Sequence, residues 1–168
     1  IIAFTTKPSF GADGFLYFLD TKTKEFYKVI GKIKGLTASV SSKANWVLYS
    51  QSVNKGFSAF VFNVKDKSSN NFGLTTLPEK CVWSKINADV VFCAAPKTFP
   101  TADYPDEWYQ GLVSFDDAIW EINVGTGETQ IIYENANADV INPFLTADEN
   151  YFLFTNKKDL TLWSLKIK

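Results

Sequence analysis

The stretch "NWVLYSQSVNKGFSAFVFNVKDKSSNNFGLTT" (Asn45–Thr76) decides how the rest of the chain is read. Its apolar runs "NWVLYSQ", "AFVFN" and "NFGLTT" are short and are divided by Gly, Asn, Lys and Ser clusters. None carries the i, i+3, i+4 spacing of an amphipathic helix, so they read as strands joined by turns. The run "TASVSSKA" (Thr37–Ala44) just before them supplies a fourth.

The same order recurs along the chain. "IIAFTT", "NWVLYSQ", "DVVFCAA" and "NYFLFTN" align with Ile2, Val47, Val91 and Phe152 equivalent. The following runs "FLYFLDTKTKE", "AFVFNVKDKSS", "IWEINVGTGET" and "LTLWSLKIK" align on Tyr17, Phe60, Trp120 and Trp163. Successive anchors Ile2, Val47, Val91 and Phe152 are 45, 44 and 61 residues apart. A four-stranded antiparallel unit repeating every ~40–45 residues has the period of β-propeller blades. One such sheet cannot bury both faces alone, which explains strands that are apolar at consecutive positions. The expected fold is all-β, with about four blades: about 1–31, 36–76, 79–134 and 139–168. The first lacks an innermost strand and the last an outermost one, so the chain reads as an arc of a larger ring. A four-blade ring with imperfect ends, self-association of two arcs through their open end blades, and an unrelated β-sandwich are the competing readings.

One connection breaks the cadence. The anchor pairs Ile2/Tyr17, Val47/Phe60, Val91/Trp120 and Phe152/Trp163 are separated by 15, 13, 29 and 11 residues. The excess falls between Ala95 and Asp116, an insertion between the second and third strands of the third blade. Loops beyond ~12–15 residues are uncommon in compact domains and often functional. Pro96, Pro100 and Pro105 restrict this one, and Phe99, Tyr104, Trp108 and Tyr109 can anchor it by burial. "PDEW" suits one helical turn, with Asp106 and Glu107 where the helix dipole favours them. An ordered flap on the ligand face of the ring is therefore expected. Either Tyr104, Trp108 and Tyr109, with Phe99, Asp106 and Glu107, contact a partner, or the rings are buried and seal the blade.

Composition narrows the chemistry. There is no His, so no His-based catalytic pair or His-ligated metal site exists. No catalytic residue is assigned. The net charge is −1 and all 17 basic residues are Lys, so neither a basic field nor a guanidinium fork is available for nucleic acid. No cofactor is expected. Calcium is the residual option, with Asp103, Asp106, Asp116 and Asp117 as candidate oxygen donors, although no D-x-D-x-D-G spacing occurs. No apolar run reaches the ~18–20 residues of a membrane span. "IIAFTT" reads as the interior of a strand, as if the sequence were part of something longer, with room for a leader or anchor upstream.

Cys81 and Cys93 lie on adjacent strands of the third blade. Pairing Ser84 with Asp89 leaves them as buried free thiols, the favoured reading; a turn one residue longer brings them opposite each other as a disulfide. Trp46, Trp83, Trp120 and Trp163 fall within repeat strands and are expected between blades. The Lys-rich turns "DTKTKEF" and "VKDKSS" belong to hairpins on the opposite face of the ring.

These units resemble TolB-like, WD-type propeller repeats, in which "W-S-P-D-G-K-x-I-A-F" forms the first hairpin and "D-I-W-x-x-D-x-x-T-G-E" the second. The matching segments are "CVWSKINADVVFC" (Cys81–Cys93) and "DAIWEINVGTGET" (Asp117–Thr129). The Pro-Asp-Gly turn is replaced by "KIN", "SKA" or "ADE", and the Gly-His element of WD40 repeats is absent. The composition also resembles bacterial proteins that carry such a propeller behind a membrane anchor, which implies an extracytoplasmic setting. The functional expectation is a non-enzymatic protein-interaction module that uses the 95–116 flap. The alternatives are a glycan- or calcium-binding propeller, or the non-catalytic propeller of a larger enzyme.

Overall fold

The computed structural model describes all 168 residues as four antiparallel sheets, each a meander in chain order. The first contains β1 (Ile2–Thr5), β2 (Asp13–Leu19) and β3 (Phe26–Lys34). The second contains β4 (Thr37–Val40), β5 (Trp46–Val53), β6 (Gly56–Asn63) and β7 (Ser68–Asn71). The third contains β8 (Cys81–Trp83), β9 (Val90–Pro96), β10 (Asp117–Asn123) and β11 (Thr129–Tyr133). The fourth contains β12 (Val140–Leu145), β13 (Tyr151–Asn156) and β14 (Leu162–Lys166).

The repeat seen in the sequence is a repeat of register. Phe4 pairs with Tyr17, Tyr49 with Phe60, Cys93 with Trp120 and Phe154 with Trp163. Each pair joins the residue two beyond the second-strand anchor to the third-strand anchor, in all four sheets. The insertion therefore leaves the ladder untouched and lies wholly between Pro96 and Asp117, which are themselves paired.

Alternate faces of each sheet pack on successive neighbours. Leu16, Phe18 and Ile30 of the first blade meet Val47, Tyr49 and Phe62 of the second. Leu48, Ala59 and Val61 of the second meet Trp83, Val91 and Ile122 of the third. Phe92, Ala94 and Ile119 of the third meet Val140, Phe152 and Phe154 of the fourth. A fully buried side chain of this size contributes roughly 1.5–3 kcal/mol, so these three cores dominate the stability. Four sheets joined by three cores form an open arc, a partial β-propeller. Trp83 sits in the second core with Trp46 and Trp120 packed against it, while Trp163 stacks on Phe154 and stays half exposed.

The hairpins share one design. Asp20, Asn63, Asn123 and Asn156 each accept backbone N–H bonds from residues two or three ahead. Four positions after each of them, the chain turns through the left-handed region at Lys24, Lys67, Gly127 and Leu160.

The cysteines correct an expectation. Cys81 and Cys93 are disulfide-bonded, with Cα atoms 4.1 Å apart. The closing bond of the turn runs from Ser84 N to Val90 O rather than to Asp89, so Trp83 pairs with Val91 and Cys81 with Cys93. The longer turn faces the two sulfurs across the ladder, and free thiols are not what the register produces.

Candidate functional site

The 95–116 insertion lies where the connections of all four blades converge. Pro105 leads into a single turn of helix, α1 (Asp106–Tyr109), with Asp106 and Glu107 in its first turn as the sequence suggested. From there the segment reaches every blade. Asp106 accepts the Phe10 N–H of the first blade at 2.7 Å. Ser52 Oγ of the second blade donates to the Tyr104 carbonyl, and Lys55 Nζ pairs with Asp103 at 2.6 Å. In the third blade, the Tyr109 hydroxyl donates to Glu79. In the fourth, Lys157 Nζ donates to the Trp108 carbonyl and Lys158 pairs with Asp116.

What fixes the insertion is burial. Ala102, Tyr104, Trp108 and Phe115 form a core with Phe57 and Leu77. Tyr104 is 1% exposed and Trp108 3%. The Tyr104 ring packs 4.8 Å from Phe57 and 5.7 Å from Phe115, and its hydroxyl donates to the Pro100 carbonyl at 2.8 Å. Burial, reinforced by the negative charges of Glu107 and Asp139, pushes that phenol up to about 12. By comparison, the exposed ion pairs of Lys55 and Lys158 contribute little.

Beneath the insertion lies a charged cluster that the sequence did not reveal. Lys80 is fully buried, its Nζ 2.5 Å from Asp139 Oδ1, 2.8 Å from Asp117 Oδ2 and 2.9 Å from the Val140 carbonyl. The Trp108 and Phe115 rings cover the ammonium at 5.1 and 5.0 Å. Asp139 also accepts from the Trp108 indole, Ser114 Oγ and the Phe115 N–H. Asp117 accepts from the Val140 N–H through Oδ2, while its other oxygen is buried without a partner. Burial pushes the Asp117 carboxyl up to about 6, only partly offset by Lys80. Lys157, 4.6 Å from the Trp108 ring on the outer side, is lowered by its own burial.

The six expected contact residues therefore divide. Tyr104 and Trp108 are not exposed contacts; they anchor the insertion from below. Phe99 and Tyr109 are exposed, at 41% and 45%, and Asp106 and Glu107 are half-buried. Leu112, 69% exposed, joins them and was missed, because a single Leu after Gly111 gives no pattern to read. The four acidic calcium candidates do not converge. Asp103 faces Lys55, Asp106 the Phe10 N–H, Asp116 Lys158 and Asp117 Lys80. No three acidic or Cys side chains come together in a metal-holding group. No helix is long and apolar enough to cross a membrane.

Comparison with known proteins gives no matching family model and no matching curated protein. Solved structures do match. TolB from Acinetobacter baumannii superposes with a TM-score of 0.57 at 10% identity, over 92% of this chain and 38% of that one. A chain of the nidogen/laminin complex gives 0.57 at 5% identity, over 94% and 56%. Oligogalacturonate lyase from Vibrio parahaemolyticus gives 0.53 at 14%, over 92% and 46%. The chain thus spans less than two thirds of each. At such identities the likeness speaks for architecture alone, and that architecture is the β-propeller.

Proposed function

We propose that this chain is a non-enzymatic protein-interaction module whose contact surface is the outer side of the 95–116 insertion. The observation that carries this reading is that a long loop, free to be short in the other three blades, is anchored to all four. It leaves Phe99, Tyr109 and Leu112 exposed, Phe99 braced against Phe57 and Tyr109 against Trp108. Rigid exposed aromatics cost little conformational entropy on binding and are the residues that most often dominate an interface. The buried Lys80–Asp117–Asp139 cluster has no access to a substrate while the insertion covers it, which favours recognition over catalysis. The disulfide supports an oxidising, extracytoplasmic setting.

The test is capture of partners by the wild-type chain and by a Phe99→Ala/Tyr109→Ala/Leu112→Ser variant of unchanged circular dichroism. Loss of specific partners in the variant is expected. Retention of all of them would reject this surface. A second reading, the non-catalytic propeller of a larger enzyme, draws on the match to oligogalacturonate lyase, of which this chain spans 46%.

A further inference from the structure

The hairpin that follows the third-strand anchor carries lysines in the first two blades, and the third blade departs from that. Five and seven residues after Tyr17 and Phe60 stand Lys22 and Lys24, then Lys65 and Lys67; after Trp120 the same positions are Gly125 and Gly127. The turn does not require glycine at the first of them. Lys22, Lys65 and Gly125 each donate a backbone N–H to the side chain of Asp20, Asn63 or Asn123, and Gly125 is not in the left-handed region. Where those lysine side chains are missing, a groove of about 400 Å³ opens between the second and third blades, both of which have all four strands. Small-molecule pockets span roughly 300–1,000 Å³.

The groove divides into an apolar floor and an amide rim. Val61, Phe72 and Ile122, from the core between the two blades, form the floor, with Trp46 half-buried beside them. Trp46 Nε1 donates to Asp89 at 2.7 Å, which holds the ring in place. On the rim, Asn71 Oδ1 accepts the Gly73 N–H at 2.8 Å and Asn123 Oδ1 accepts the Gly125 N–H at 3.0 Å. Each amide is thereby oriented while its NH₂ group finds no acceptor in the chain. No charged side chain lines the groove, although 21% of the chain is charged.

We propose that this groove binds a neutral saccharide, one pyranose ring resting on Trp46 and its hydroxyls accepting from the Asn71 and Asn123 amides. A charged ligand would be desolvated without a counter-charge. A wholly apolar one would strip water from the amides and give them no new partner. A sugar ring has an apolar C–H face and a border of hydroxyls, the same division that the groove shows. No residue of the 95–116 insertion takes part, so this site is separate from the proposed protein contact.

The test is retention of the full chain on an array of neutral gluco-, galacto- and manno-oligosaccharides beside their uronate and amino-sugar counterparts. Gly125→Lys restores the residue of the first two blades and fills the groove; Trp46→Val installs the residue that stands at the equivalent Val90 and removes the platform. Wild type is expected to be retained by at least one neutral oligosaccharide, and each variant to lose about tenfold in affinity at unchanged circular dichroism. Phe99→Ala, on the insertion, should change nothing. No retention of wild type, retention confined to charged sugars, or retention that survives either groove substitution would overturn the proposal. If Trp46→Val does not fold, Gly125→Lys decides alone.

Discussion

The indole Nε1 of Trp108 donates to both carboxylate oxygens of Asp139, at 3.0 and 3.2 Å, and this contact ties the insertion to the fourth blade from beneath. Asp139 in turn holds Lys80, so one buried carboxylate links an inserted loop, a strand approach in the third blade and the start of β12. Trp108→Phe keeps most of the apolar burial and removes only the donor. It is expected to cost about 1–3 kcal/mol. Trp108→Ala also empties the core shared with Phe115 and should cost about 3–5 kcal/mol. Urea denaturation of both variants measures the difference. A Trp108→Phe variant as stable as wild type would mean that the hydrogen bond to Asp139 contributes nothing, and equal losses would mean that the packing of the ring adds nothing to it.

Asp117 makes the stability depend on pH in an uncommon direction. Its carboxyl lies at about 6 in the folded chain and at 3.8 as a free group, because burial penalises the charged form more than Lys80 restores it. The folded state therefore holds this proton more tightly than the unfolded state. Stability falls as pH rises from about 4 to about 6, by at most about 3 kcal/mol. Above that window the group adds no further slope. Below it Asp20, Asp148 and Asp159, held low chiefly by hydrogen bonds, act in the opposite sense. Asp117→Asn should remove the decline between pH 4 and 6. A wild-type midpoint that rises through this window would show that Lys80 outweighs burial.

Gly35 marks where the second blade grips the insertion. Its φ is +61°, and an added Cβ would lie 1.7 Å from Ser52 Oγ and 3.0 Å from the Tyr104 carbonyl oxygen. Gly111, inside the insertion, has φ +77° but open space around it. Both glycines to Ala meet the left-handed cost of roughly 1–2 kcal/mol. Only Gly35→Ala also displaces Ser52 from Tyr104, so its thermal midpoint should fall clearly further than that of Gly111→Ala. Equal shifts would show that the Ser52 contact is dispensable.

The blade order was legible because period and register are local properties. Val47 with Phe60, or Phe152 with Trp163, fixes a hairpin from nearby residues, and the same offset repeats. The helical turn was legible from Pro105, Asp106 and Glu107 for the same reason. Which aromatics of the insertion point inward was not. Trp108 and Tyr109 are neighbours on one turn, about 100° apart, and only the position of Phe57, Leu77 and Phe115 decides between them. Lys80 was invisible among 17 lysines, since its partner Asp139 is 59 residues away and on another blade. The disulfide turned on one residue of turn length, a distinction finer than strand patterning resolves.

Leu160 is the one apolar side chain among the four left-handed hairpin positions, and it is 74% exposed. The other three are Lys24, Lys67 and Gly127, so only the third hairpin has the residue that fits this backbone without steric cost. The surrounding bonds are the same: Leu160 N to Asn156 O at 2.7 Å, Gly127 N to Asn123 O at 2.8 Å. Leu160→Gly removes the clash of Cβ with the backbone and loses no packing. It should stabilise the chain by about 1 kcal/mol, with Gly127→Lys costing a similar amount. Chemical denaturation of the two variants tests the pair. If Leu160→Gly is destabilising, Leu160 makes a contact that its exposure conceals, and the four hairpins are not energetically equivalent.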